Sequence, residues 1–161
     1  MYINKMVTVV NPLDDLKTLL ISGWNAANTD SVTPLIDKIY VQAKNKNPNP
    51  GQDFVYLYSE LTSRSPVGIG NTSQAEVVES IKIDIRSRPS NSKQGNLTSD
   101  SHARKVWTEL DRILYTNFNN PSSNFHQLNP NLEVTDLSDG VRGIFRYVVK
   151  INMTNYCKNM V

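Results

Sequence analysis

The amino-acid sequence predicts a single mixed α/β (α+β) domain: a central, mainly antiparallel sheet flanked by helices. Three observations carry that expectation. Two amphipathic helical stripes stand far apart in the chain. Runs of period-two alternation fall between and after them. Clusters of Asn, Pro, Gly and Ser punctuate the boundaries. The chain has 161 residues, which favours one domain and allows it to bury a core of its own. Residues 1–10 read as an extended N-terminal segment and residues 156–161 as a C-terminal tail.

The first helix starts at Asn11-Pro12. Asn11 can accept a hydrogen bond from the unpaired amides of the first turn, Pro12 suits the first helical position, and Asp14 and Asp15 complement the positive end of the helix dipole. Leu13, Leu16, Leu20 and Trp24 recur at helical spacing, with Leu19 widening the stripe, and the helix fades near residues 25–28. Residues 34–42 follow as a strand carried by Leu35, Ile39 and Val41. A turn-forming run at residues 44–51 holds two prolines and a glycine. Phe54-Val55-Tyr56-Leu57-Tyr58 is the next strand, and the two strands together read as a long hairpin.

Residues 60–75, polar and carrying Gly68 and Gly70, read as a long loop. The clearest alternation follows: Val77, Ile81, Ile83 and Ile85 against Glu79, Lys82, Asp84 and Arg86. It places the isoleucines on the core face and the charges on the other. Asp84 is therefore expected away from the core, in a charged ladder on an exposed or interface face. Residues 87–99 form a second irregular segment with Pro89, Gly95 and Lys93. The main helix covers about residues 100–118. Its stripe is Ala103, Val106, Trp107, Leu110, Ile113 and Leu114, with Arg104, Lys105, Glu109 and Arg112 off it. Beyond Asn119-Asn120-Pro121, residues 125–131 are irregular. Residues 132–137 form a strand, Ser138-Asp139-Gly140 a tight turn, and residues 141–155 a long return strand. In that strand Phe145, Tyr147, Val149, Ile151 and Met153 alternate with Arg146, Lys150 and Asn152.

Composition argues against several function classes. The net charge is only +2, and the 17 Lys and Arg are spread along the chain rather than clustered as phosphate binding requires. The one cysteine, Cys157, excludes an intramolecular disulfide and a Cys-based zinc site. With His102 and His126 as the only histidines, a multi-ligand transition-metal site is not expected either. No apolar run approaches the roughly 20 residues that cross a bilayer. Gly68-Ile69-Gly70 lacks the Gly-Lys-Ser/Thr of a phosphate loop, and neither histidine has a nucleophile motif nearby. Asp84 has Lys82 and Arg86 beside it rather than a second acid or base. No catalytic residue, cofactor or metal is expected. The sequence reads as a domain that makes protein contacts.

The order of elements resembles the tail terminator (tail-completion) proteins of long-tailed viruses. The resemblance runs from about Leu13 to Ile151. It lies in the early helix ending near Trp24, the strand through Phe54–Tyr58, and Ser80-Ile81-Lys82-Ile83-Asp84-Ile85-Arg86. It continues in the helix from Ala103 to Leu114 and the charged final hairpin from Arg142 to Ile151. The Asn-rich loops and the segment before Asn11 depart from that family. The resemblance implies a homohexameric ring that caps the tail tube, ends its polymerisation and meets the head–tail connector. It implies a place in the tail or neck of a virion assembled in the host cytoplasm, with genomic DNA passing the lumen and no membrane partner. Its interface candidates in this chain are Lys82, Asp84, Arg86, Arg88, Arg64, Lys93, Arg146 and Lys150. Arg64, Arg86, Arg88 and Lys93 are expected to face DNA or acidic partner surfaces. Another connector or tail-tube subunit, or a small nucleic-acid-binding domain, are the alternatives.

Overall fold

Helix α1 spans Pro12–Gly23 in the computed structural model, and it begins as its sequence dictates. The Asn11 Oδ1 accepts from the Leu13 amide at 3.1 Å, and Pro12 occupies the first turn. The structure describes residues 11–29, 39–41, 52–67, 74–88, 99–119, 121–122, 125, 127–129, 133–138 and 144–158. A short 3₁₀ helix, Ala26–Thr29, follows α1. The strands are β1 (Ile39–Val41), β2 (Gln52–Val67), β3 (Gln74–Arg88), β4 (Gln127–Leu128), β5 (Glu133–Asp136) and β6 (Phe145–Lys158), with α2 (Ser99–Thr116) between β3 and β4.

The strands form one six-stranded sheet in the order β1-β2-β3-β6-β4, and β5 shares the β4 side of β6. All pairings are antiparallel except β1 with β2, so the fold is α+β with a mainly antiparallel sheet. Both helices cover the same face: α1 lies over β1 and β2, α2 over β3 and β6. The core between the layers holds Leu13, Leu16 and Leu20 from α1 and Val106, Leu110, Ile113 and Leu114 from α2. The sheet contributes Val55, Leu57, Ile81, Ile83, Ile85, Tyr147, Val149, Ile151 and Met153. Burying each such aliphatic side chain stabilises the fold by about 1.5–3 kcal/mol. The helices meet closely at Gly23, where a Cβ would sit 3.0 Å from the Ile113 Cγ2. A larger residue at the end of α1 would therefore require Ile113 to shift by a few tenths of an ångström.

Four sequence expectations are corrected. The hairpin of residues 34–42 with 53–59 does not form. Ile39–Val41 instead pairs in parallel with Val55, Tyr56 and Leu57. A parallel pair cannot be closed by a two-residue hairpin turn; the turn-forming run expected at residues 44–51 lies outside the described residues. The long loop at residues 60–75 is mostly strand. β2 continues to Val67 and β3 begins at Gln74, paired throughout. Its polar residues look like a loop because this part of the ribbon lies outside the buried core, which on these strands reaches no further than Leu57, Ile81 and Met153 among the described residues. Residues 125–131, expected as irregular, contain β4, whose Leu128 lies opposite Met153 and joins the core. Finally, Tyr156, Cys157 and Lys158 are not tail but the end of β6, opposite Glu76, Ala75 and Gln74.

Candidate functional site

The second face of the sheet, away from the helices, carries the predicted charges. Rows across β2, β3 and β6 follow from the register: Phe54, Arg86 and Arg146; Tyr56, Asp84 and Val148; Tyr58, Lys82 and Lys150. Period-two alternation put these residues together as expected. The ladder is not an exposed one, however. Asp84 is 1% exposed and Arg86 4%. Of the exposed or interface face expected for Asp84, burial within the chain itself overturns the exposed one. The physical reason is pairing: an ion can leave water when its neighbours satisfy it.

Asp84 is satisfied from both sides. Arg146 on β6 donates from Nε to Oδ1 at 2.9 Å and from Nη2 to Oδ2 at 2.7 Å. Arg86, two residues along β3, donates from Nη2 to Oδ2 at 2.7 Å, with Nε at 3.2 Å. Burial alone pushes the Asp84 carboxyl upward, but the hydrogen bonds and charges of Arg146 and Arg86 outweigh it and hold the carboxyl below its ordinary value. The carboxyl is therefore favoured in its ionised form as an ion-pair partner, and its charge helps to raise the nearby Tyr58 phenol, after the larger effect of that residue's burial. The Arg86 guanidinium also lies over the Tyr56 ring, 5.1 Å from its centroid. Phe54, Tyr56 and Tyr58 form an aromatic row along β2, with ring centroids 6.0 and 6.2 Å apart. The sequence contains this row plainly, yet only the sheet register brings it beside the arginines. Its centre, Tyr56, is 2% exposed, so it packs the cluster instead of offering a stacking platform to bases.

Further along the same face the sheet opens to solvent. Lys82 pairs with Glu60, both a third exposed. A bulge between Ser59 and Leu61 places two β2 residues where β3 has one, so Leu61 lies opposite Ser80 on this face, 61% exposed. Ser80 donates to the Asn152 Oδ1 at 2.8 Å, and Lys150 is exposed. An open polar depression here is lined by Glu60, Ser80, Asn129, Glu133, Lys150 and Asn152. Glu79, grouped with the outward charges by the sequence, has the parity of Ile81 instead. It accepts from the Thr62 Oγ1 at 2.6 Å. Past Ser59, the β2 side chains at positions 60–63 and 65 are exposed, so β2, β3 and β6 continue together beyond the helical layer.

The predicted residues thus divide. Asp84, Arg86 and Arg146 form one cluster, with Lys82 and Lys150 adjoining it. Arg88 is at the far end of β3, half-buried, and Arg64 lies opposite Val77 in the projecting ribbon, away from the cluster. Lys93 lies outside the described residues, as do His126, Gly68 and Gly70.

A second buried carboxylate went unrecognised in the sequence. Glu109, assigned to the polar side of α2, is 1% exposed. It accepts from the Asn25 amide at 2.7 Å, from the Asn28 Nδ2 at 2.6 Å and from both Nε and Nη2 of Arg112. Arg112 also donates to the Gly23 carbonyl at 2.7 Å, which satisfies an otherwise unpaired group at the end of α1. The Arg112 hydrogen bond, helped by those from Asn28 and Asn25, lowers the Glu109 carboxyl from 4.5 to about 2 against the opposing effect of burial. The (i, i+3) spacing of Glu109 and Arg112 is the signal that could have flagged a pair, though not its burial.

Among the described residues, no group of three or more His, Cys, Asp or Glu is placed to hold a metal ion, and no helix is long and apolar enough to cross a membrane. No protein-family model matches the chain, and no curated protein matches it either.

Proposed function

We propose that this chain is a structural subunit of a long-tailed virus: a tail terminator that assembles into a ring, caps the tail tube, ends its growth and joins it to the head–tail connector. The observation that carries the reading is the ribbon of β2, β3 and β6 that runs past the helical layer with its β2 side chains exposed. A ring subunit needs surfaces that reach a neighbour and a tube. The chemistry of the second face agrees: its buried carboxylate is fully occupied by arginines and serves to fix a surface. In this reading the partners are further copies of the chain, the tube protein and the connector, and the protein acts in the virion without a cofactor.

Mass measurement of the purified chain, with electron microscopy of the same sample, tests the proposal. A closed ring with a central hole, expected as a hexamer, is the predicted result. A stable monomer at high concentration that also fails to bind purified tail tubes would overturn it.

A further inference from the structure

From the geometry around Asp84 we infer that Arg146 is a pre-oriented receptor for a carboxylate on a neighbouring copy of this chain. The inference rests on the ring reading for its occupant, and on the geometry alone for its chemistry.

Arg146 faces Asp84 with only one edge of its guanidinium, the Nε and Nη2 side. The opposite edge, formed by Nη1 and the second hydrogen of Nη2, points away from the buried carboxylate, and its donors meet no acceptor among the described residues. Arg146 also differs from its partners in access: its side chain is 35% exposed, against 1% for Asp84. The backbone at this position is fixed as well. The Arg146 amide donates to the Ser138 Oγ at 3.1 Å, and its carbonyl accepts from the Leu137 amide at 2.8 Å. Ser138 is in turn held by the Asp136 carboxylate, which accepts from the Ser138 amide at 2.9 Å. An arginine ordinarily loses much of its rotamer freedom when a ligand immobilises it. Here the fold has already immobilised it, so an incoming planar anion gains two parallel hydrogen bonds with little further ordering.

The anion is a protein carboxylate rather than a nucleic-acid backbone. Glu60 is paired with Lys82 and Glu133 stands opposite Lys150, so the cations beside Arg146 on this face are matched by carboxylates and offer no uninterrupted basic track for successive phosphates. A single side chain from a facing subunit can reach Arg146 without crossing those carboxylates. The chain itself supplies such groups, since 15 acidic residues nearly balance 17 basic ones. A ring joins unlike surfaces of successive copies, so the receptor and the carboxylate need not be near each other within one copy.

The test compares the full-length chain with Arg146→Lys and Arg146→Gln by sedimentation velocity, with thermal melting alongside. Lysine retains the charge and a bond to Asp84 but has no outward fork. Arg146→Lys is expected to weaken self-association by roughly tenfold or more while it melts within a few degrees of the parent. Should rings form equally well with Arg146→Lys and Arg146→Gln, the inference is wrong and the ring reading stands. Should the parent chain itself remain monomeric, the second-copy occupant falls with the ring reading. Acetate titration of the parent's guanidinium ¹⁵N resonances then decides the chemistry. A saturable shift confined to Arg146 supports a carboxylate receptor, and a flat response overturns it. Tighter engagement of Arg146 by a single-stranded oligonucleotide than by acetate also overturns it, in favour of phosphate.

Discussion

Asp84 and Glu109 are the two carboxylates buried among the described residues, and they are buried for different purposes. Glu109 sits on α2 and draws in groups from a distant stretch of chain: the Asn25 amide, the Asn28 side chain and, through Arg112, the Gly23 carbonyl. It acts as a fastener that closes the end of α1 onto α2. Asp84 is held by two arginine side chains, from its own strand and from the next, and receives no backbone amide among its described contacts. One of those arginines is almost as buried as Asp84, and the other reaches solvent. Equal burial therefore does not mean equal role. A carboxylate that satisfies backbone groups holds a connection together, whereas one that aligns guanidiniums prepares a surface.

Removing each carboxylate gives the largest expected effects and separates the two. Asp84→Ala leaves the 4%-exposed Arg86 without its carboxylate and is expected to cost about 3–5 kcal/mol in urea unfolding, the range for breaking a buried pair. Glu109→Ala leaves Arg112, which is 45% exposed and can recover water, together with an amide and a side-chain amide; about 2–3 kcal/mol is expected. A smaller loss for Asp84→Ala than for Glu109→Ala would break the comparison. It would also return Asp84 to the exposed or interface ladder that strand alternation predicts.

Acid sharpens the comparison next. The Glu109 carboxyl is lowered in the folded chain from 4.5 to about 2. A depressed folded value means stabilisation that is complete above the unfolded value and disappears as pH falls through the folded one. Up to about 3 kcal/mol should therefore be lost between roughly pH 4.5 and pH 2. Unfolding curves of the parent and Glu109→Gln should converge over that window. A gap between them that does not change with pH would mean that the ionised form of Glu109 is not what fastens the helices. Lys82→Ala gives the smallest effect. It removes a third-exposed pair with Glu60 from the same face as Asp84, and a change within about 1 kcal/mol is expected. A larger loss would show that the ion cluster extends beyond Asp84, Arg86 and Arg146.

The local rules that shape each element were readable in particular residues. Asn11-Pro12 sets the start of α1, and the leucines at 13, 16 and 20 reach the core as their spacing requires. Ile81, Ile83 and Ile85 face the helices, as do Tyr147, Val149, Ile151 and Met153 on β6. Of the candidate site, the shared face of Lys82, Asp84 and Arg86 was readable because alternation is a property of the strand alone. Its burial was not, because that depends on Arg146, which is 62 residues away in sequence. The same limit applies to the parallel direction of β1 and to the length of the β2–β3 ribbon. A polar Ser/Thr-rich strand that adds nothing to the described core has the composition of a loop.

What the sequence by itself determined, then, was the class of the fold, the two helices and the faces of the strands, since each follows from periodicity within one segment. Only the tertiary structure decided that Asp84 and Glu109 are buried, that Arg146 and Arg112 are their partners, and that the ribbon projects past the helices. Those outcomes depend on the free energy of taking a charge out of water. That energy is set by whichever groups the fold brings to it and not by its neighbours along the chain.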